Sequence, residues 1–231
     1  MANITPMVLA AGRGSRMREL SDATPKPLMR IGRETLIDIH LKKLKEVGFT
    51  RIVVNIAYKA QQIISHVKHH PISGLEIVFS KETNALETAG GIANALSLIN
   101  SPIFPVINAD IFSDYDYANF FIHANTLSSS TQYAAHIILV DNPEHNRNGD
   151  FRFEAGKLSE EGKPMTFTGM GIYRSDIFLK EHADNKVGLG TVLRDLSASD
   201  KVSAEHHRGF WSDIGTPERL DEINKYVEGD L

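Results

Sequence analysis

The chain has no cysteine among its 231 residues. Disulfides, thiolate metal sites and cysteine nucleophiles are therefore excluded, and the composition fits a reducing compartment. No apolar run approaches the roughly 20 residues of a membrane-spanning helix. The opening MANITPMVLAAG has neither a basic start nor a long apolar stretch, so no secretory signal is expected. An excess of positive charge is also missing, since 25 lysines and arginines face 29 aspartates and glutamates, for a formal net charge of −4. That balance argues against general nucleic-acid binding and against an anionic membrane surface. What remains, 42% hydrophobic residues, is ordinary for a globular chain with a core. A soluble cytoplasmic protein without nucleic-acid or membrane partners is expected.

Short apolar runs alternate with segments of helical period. Strands are expected at Ile4–Ala10, Arg51–Tyr58, Leu75–Ser80, Ile103–Asp110 and Tyr133–Val140. Helices are expected at Thr35–Val47, where Ile37, Leu41, Leu44 and Val47 share a face, and at Lys59–His70, Thr88–Ile99 and Tyr117–Asn125. Pro105 counts against a regular central strand in its run, because it lacks an N–H. After Val140 the rhythm changes. Phe151–Phe153, Met165–Arg174 and Lys201–Phe210 read as shorter strands and Leu189–Ser197 as a helix. Thr216 followed by Pro217 is a strong helix start. The fold class expected is α/β: a Rossmann-like, mostly parallel central sheet flanked by helices, with a small β-rich second half. No linker divides it, so 1–231 reads as one domain whose character changes near residue 140.

In open α/β sheets, ligands bind beyond the carboxyl ends of the strands, which is where the loop starting at Ala11 lies. Gly12 and Gly14 let backbone amides converge into an anion nest. Arg16 adds a planar cation suited to phosphate oxygens. Lys26, between Pro25 and Pro27, is a compact charge on a restricted backbone, so less entropy is lost when a ligand arrives. Together these favour a polyphosphate ligand. A tight strand-to-helix turn would use the same two glycines. The loop is not a Walker A sequence, and Met17 stands where the dinucleotide fingerprint needs its third glycine.

The pattern LAAGRGSRM…PKPL resembles the signature of the sugar-1-phosphate nucleotidyltransferases. The likeness runs on through Glu87–Ile92 (ETAGGI), Asn108–Asp110 (NAD), Val140–Pro143, Gly149–Arg152 and Phe210–Leu220 (FWSDIGTPERL), in the family's order. The resemblance implies a nucleotide-binding half to about residue 140 and a sugar-binding half from 141 to 231. It implies a Mg2+-dependent transfer from a nucleoside triphosphate to a sugar-1-phosphate, with release of pyrophosphate. The short length and later segments are most similar to members that pass a uridylyl group to N-acetylmuramic acid 1-phosphate in bacterial cell-wall recycling; another hexose-1-phosphate with dTTP, GTP or CTP, or a non-catalytic nucleotide-sugar-binding regulatory protein on the same fold, is the alternative. One departure lies in the sugar half: many relatives carry Glu-Lys-Pro where this chain has Gly162-Lys163-Pro164.

Carried over residue by residue, the resemblance makes Arg16 and Lys26 catalytic, stabilising charge on the α-phosphoryl group and the leaving pyrophosphate. Asp110 and Asp213 become the Mg2+ ligands, although a strand-end carboxylate and a turn-forming aspartate before Gly215 are what those positions suggest locally. Ala11, Gly12, Gly14, Ser15, Arg16, Lys26, Glu82, Glu87, Gly90 and Asn108 become nucleotide-binding residues, with Gly91 beside them. Asp150, Glu154 and Gly169 become sugar-binding residues, Asp150 following an Asn-Gly turn pair. Both reactants are anionic and already ionised, so charge neutralisation matters more than a general base. His66 and His70 could chelate across a helix turn but read as a solvated face. His206 and His207 alternate across a strand and cannot both face one ion easily. His136 reads as a satisfied core or active-site-wall residue rather than a ligand, and Trp211 as a packing anchor behind Asp213. A monomer or simple homodimer is expected.

Overall fold

Apolar, β-branched runs pair into one nine-stranded mixed sheet. The computed structural model describes residues 4–14, 17, 22–83 and 86–229. In chain order the first half comprises β1 (Met7–Leu9), β2 (Arg30–Ile31), β3 (Glu34–Thr35), α1 (Leu36–Glu46), β4 (Arg51–Ile56), α2 (Ala60–His69), β5 (Glu76–Lys81), α3 (Glu87–Ile99), β6 (Ile103–Asn108), β7 (Ile111–Ser113), α4 (Asn119–Ser129) and β8 (Ala135–Val140). The second half adds β9 (Phe151–Glu154), β10 (Lys157–Leu158), β11 (Lys163–Arg174), α5 (Lys180–Asp184), α6 (Leu189–Ser197), β12 (Val202–His206), β13 (Trp211–Asp213) and α7 (Pro217–Glu228).

The sheet order is β5-β4-β1-β6-β11-β8-β12-β10-β9. Strands β5, β4, β1 and β6 run parallel, as do β8 and β12. Between the two groups lies β11, antiparallel to both β6 and β8. It is longer than its sequence suggests because its first residues, Lys163–Met165, also pair with β9. Strands β11, β8, β12, β10 and β9 thereby close into a ring at one end of the sheet. Pro105 does lie inside the central strand β6. The ladder from β1 begins only at Val106, one residue later, so the missing N–H leaves no bond unmade on that side.

Alternate residues of the strands feed two cores. Val8, Ile52, Val54, Ile107, Ile138 and Ile172 face α1, α2 and α4, where Leu41, Ile63 and Phe120 close the layer. Met7, Val53, Val106, Ile137 and Leu139 face the other way, against Ile92 of α3 and Leu193 of α6. Thr35 caps α1, accepting from the Asp38 amide, and His66 of α2 reaches the same corner, with its Nε2 2.8 Å from Asp38. His66 thus ties α2 to the start of α1, while His70 bonds back to His66 O and sets its ring 4.4 Å from that of His66. Thr216 caps α7 with Pro217 at its first position, as its sequence predicts.

Buried behind β7, His40 pairs through Nδ1 with the Tyr117 hydroxyl at 2.7 Å. Burial, aided by Lys43, holds its pKa down at about 4. Below pH 6.5 the unfolded chain takes up a proton that the folded chain refuses, so this histidine weakens the fold as pH falls from about 6.5 towards 4. The slope is about 1.4 kcal/mol per pH unit at most. Urea unfolding at pH 7, 6 and 5 should show stability falling more steeply in the native chain than in His40→Gln. Equal slopes would mean that His40 is protonated in the folded state.

Candidate active site

The carboxyl ends of β1, β4 and β6 open into a cleft of about 710 Å3, a size suited to a nucleotide. Ala11, Gly12, Arg13, Gly14, Lys26, Asn55, Tyr58, Glu82, Glu87, Asn108 and Asp110 are among the residues that line it.

Lys26 begins a short 3-10 turn, Lys26–Leu28, with Pro25 before it and Pro27 inside it. The two prolines restrict the backbone at the point where the side chain leaves it. That side chain is only 7% exposed, and its ammonium group meets Asp110 Oδ2 at 2.9 Å. Gly14 lies directly over the lysine stem. A Cβ at Gly14 would come within 2.7 Å of Lys26 Cε, and its φ of +67° is one that L side chains rarely adopt. The glycine loop is therefore the cover of the lysine channel. Ser15 and Arg16, both expected at the phosphates, lie outside the described residues.

Asp110 follows the end of β6, where the Ala109 amide donates to Leu9 O and extends the ladder to β1. Strand β7 then pairs antiparallel with β13, placing Asp213 opposite Ile111. The Ile214 amide donates to Asp110 O at 2.7 Å. Two aspartates far apart in sequence are thus brought to neighbouring positions. Lys43 of α1 anchors β7, its ammonium donating to Ser113 O at 2.6 Å, and burial lowers its pKa. Trp211 holds β13 from behind, its indole N–H donating to Thr168 O at 2.9 Å. Arg219 Nη1 and His145 Nε2 stand 2.9 and 3.1 Å from Asp213 Oδ1.

The opposite wall is built around Glu82. Its Oε1 accepts from Asn55 Nδ2 at 2.6 Å and its Oε2 from the Leu86 amide at 3.2 Å. Asn55 Oδ1 in turn accepts from the Ala10 amide at 2.7 Å, tying the wall to the end of β1. Burial pushes the Glu82 pKa up, and the two hydrogen bonds oppose that shift. Gly91 makes the close approach: a Cβ there would lie 2.6 Å from Glu82 Oε1. Glu87, at the start of α3, adopts φ +60°, an unusual conformation for a non-glycine residue and one found at functional sites.

Other expected residues do not line this cleft directly. Gly90 faces α5 rather than the cleft, since a Cβ there would meet His182 O at 2.8 Å and its amide is taken by Val187 O. Its lack of a side chain serves helix packing. Gly169, at φ +80°, lies in the irregular stretch of β11 against the Asn108 amide group, where a Cβ would come within 2.5 Å of Nδ2. Asp150 braces that stretch, accepting from the Phe167 amide at 2.9 Å. Glu154 is exposed where β9 turns into β10, bonded to the Ser159 hydroxyl, and does not line the cleft. Strand alternation turns Phe151 and Phe153 inward and leaves Arg152 and Glu154 outside. Lys163 pairs with Asp141 at 2.5 Å on the surface. Asn55, Arg219 and His145 were not anticipated. Asn55 had a signal, as a polar residue inside an apolar strand run. Arg219 had another, as a cation in a helix's first turn, where the dipole disfavours it.

The cleft thus holds Lys26 and Asp110 under a glycine loop, while Asp213, which is not among the lining residues, is brought near by its strand pairing. The sequence profile of the nucleotidyl transferase family matches residues 5–229. The chain belongs to this family. It is 42% identical, over 94% of its own length and 95% of the relative's, to a Neisseria meningitidis serogroup B protein named N-acetylmuramate alpha-1-phosphate uridylyltransferase. A Caulobacter vibrioides protein of the same name is 30% identical over 92% of each chain. A solved UDP-glucose pyrophosphorylase, complexed with UDP-glucose, superposes with a TM-score of 0.80 over 99% of this chain and all of that one. At 16% identity that likeness is one of fold.

The nucleotidyl transferase loop can be tested at its two glycines. Gly12 has open space around its missing Cβ, whereas Gly14 does not. Gly14→Ala should strain the backbone by about 1–2 kcal/mol and displace the lysine stem, weakening nucleotide binding about tenfold. Gly12→Ala should bind nearly as the native chain does. Calorimetric titration with a nucleoside triphosphate would measure both. Equal losses would show that the contact with Lys26 is not what Gly14 is for.

Proposed function

We propose that this nucleotidyltransferase joins a nucleoside triphosphate, UTP before others, to a sugar-1-phosphate, N-acetylmuramic acid 1-phosphate before others. The products are the nucleoside-diphosphate sugar and pyrophosphate, and the setting is bacterial cell-wall recycling in the cytoplasm. The Lys26–Asp110 pair under the glycine loop, with Asp213 drawn alongside by β13, carries the reading. The choice of UTP and of this sugar rests on the names of the two relatives.

In the reaction, an oxygen of the sugar-1-phosphate attacks the α-phosphorus of the triphosphate. The bond from that phosphorus to the bridging oxygen breaks, and its electron pair leaves with pyrophosphate. The attacking phosphate is already ionised, so no proton needs to be removed. Repulsion between anions is the main obstacle, and a fixed cation in a partly dry cleft offsets it better than a mobile one. Lys26 takes that role, with Arg16 as its partner, and the amides of Ala11–Gly14 hold the triphosphate. Asp110 and Asp213 offer the oxygen donors that Mg2+ prefers, and the ion when bound neutralises phosphate charge. Glu82 spends both carboxylate oxygens on Asn55 and Leu86. It therefore shapes the base pocket, with Gly91 behind it, and leaves contact with the base to Glu87 and the backbone. Asn108 lines the cleft and Gly169 packs against it, so in this reading the pair, with Asp150 bracing the stretch, lies between nucleotide and sugar.

Pyrophosphate release in Mg2+, across four nucleoside triphosphates and a panel of sugar-1-phosphates, tests the reading. Release should be strongest with UTP and N-acetylmuramic acid 1-phosphate. Another preferred pair would overturn the substrate and keep the reaction. Nucleotide binding without release from any pair would favour a non-catalytic sensor. Asp110→Ala should abolish turnover and remain folded, and Lys26→Met should lower kcat by about 100-fold or more, in line with loss of a charge-stabilising donor. If Lys26→Met raised only the KM for the sugar, Lys26 would belong to the sugar phosphate instead.

A further inference from the structure

Away from the cleft, α4 packs on β8 and β12 through three ionisable side chains. His123 comes from the helix, His136 from β8 and Glu205 from β12. One ligand atom from each lies within 4.8 Å of the other two. None of the three lines the nucleotide cleft.

Hydrogen bonding favours one tautomer of His136. The Ser203 hydroxyl lies 3.3 Å from Ala135 O and 2.9 Å from His136 Nδ1, so with its proton directed at Ala135 O it accepts from Nδ1. In that arrangement the ring proton sits on Nδ1 and the Nε2 lone pair is bare. That atom is buried and has no hydrogen-bond partner. A buried acceptor without a partner is costly and calls for an explanation. Burial, with His123 next in effect, holds the His136 pKa down at about 4, so the ring stays neutral at neutral pH.

His123 and Glu205 complete the donor set. His123 Nε2 lies 3.3 Å from Glu205 Oε1, and the same carboxylate accepts from the Tyr115 hydroxyl. Hydrogen bonds from His123 and Tyr115 outweigh burial and hold the Glu205 pKa down. An imidazole whose second nitrogen is held by a hydroxyl, and a carboxylate held by a phenol, form the outer-shell pattern of a metal site. The two imidazole rings stack 3.8 Å apart. For both lone pairs to converge one ring must turn. His123, on the helix and the more exposed of the two histidines, is the ring that would turn, its side chain being 17% exposed.

We propose that His123, His136 and Glu205 bind a borderline transition-metal ion such as Zn2+, which clamps α4 to the β8–β12 pair. Two imidazoles and a carboxylate suit this class of ion and not Mg2+. The ion replaces the proton between His123 and Glu205, and a water molecule takes the fourth position. Its effect is structural: through Glu205 and Tyr115 it fastens the segment that follows β7.

The test is titration of chelator-stripped protein with Co2+, with Mg2+ in large excess to occupy carboxylate-only sites. One equivalent should give the visible absorption of a four-coordinate Co2+ ion, bleached by Zn2+, and Zn2+ should raise the melting temperature. His123→Gln and Glu205→Gln should each abolish the absorption. Ser203→Ala should keep it while weakening affinity about tenfold, as loss of an outer-shell partner does. Absence of the absorption in the native chain, or its survival in folded His123→Gln, would overturn the proposal. The readout is a spectrum and a melting temperature, so it stands whichever substrate the cleft takes.

Discussion

The ion pair between Lys26 and Asp110 is the constraint on which the cleft depends. Lys26 is almost wholly buried while Asp110 is one third exposed. Where both charges are fully buried, removing one partner costs about 3–5 kcal/mol. Here the cleft leaves Asp110 part of its solvation, so the penalty is smaller. Even so, the ammonium group cannot stay in that channel without an anion beside it. Three separate pieces of chain therefore meet at one point. The Pro-Lys-Pro turn delivers the cation, β6 delivers the carboxylate, and the Gly12–Gly14 loop covers the stem between them. A pair of this kind also suits an enzyme of anionic substrates, because each partner has an alternative: phosphate for the lysine, a metal ion for the aspartate.

The second carboxylate shows the same economy. Asp213 faces Arg219 and His145, so neither candidate metal ligand is left without a compensating cation. Arg219 is paid for locally by this contact, because a guanidinium in the first turn of α7 opposes the helix dipole. Strands β7 and β13 are only three residues each. They hold because Lys43 caps one end, Trp211 braces the back and the Ile214 amide closes onto Asp110. Precision at the site thus comes from a small two-stranded ladder beside the main sheet rather than from the main sheet itself.

The cluster on α4 differs in character. In the cleft the cations are lysine and arginine, and the acids are free of imidazole except at His145. Around His136 the donors are imidazoles, and a buried imidazole nitrogen lacks a hydrogen-bond partner, as Asp213 Oδ1 and Arg219 Nε and Nη1 also do at the other site. The two sites suit different classes of ion, and Tyr115 connects them: its hydroxyl reaches Glu205, while its backbone follows β7.

The alternation of apolar strands with helical segments was legible in the sequence. So was the Thr216-Pro217 helix start, and Leu189–Ser197 appears with the bounds its pattern suggests. These features are set by local period and by side chains that bond within a few residues. The glycines of the first loop and the proline-flanked lysine were likewise visible, because both act through their own backbone. Which side of α3 reaches the cleft was not legible. Gly90 and Gly91 are adjacent and chemically identical, and only the position of α5 turns one to packing and the other to Glu82. Glu154 is expected at the sugar, and only the β9–β10 turn decides that its side chain is exposed and bonded to Ser159. The sequence by itself determined the elements, the cationic loop and the stock of carboxylates. The tertiary structure alone decided which carboxylates meet, because a strand pairing such as β7 with β13 is a long-range contact, written in no local pattern of residues.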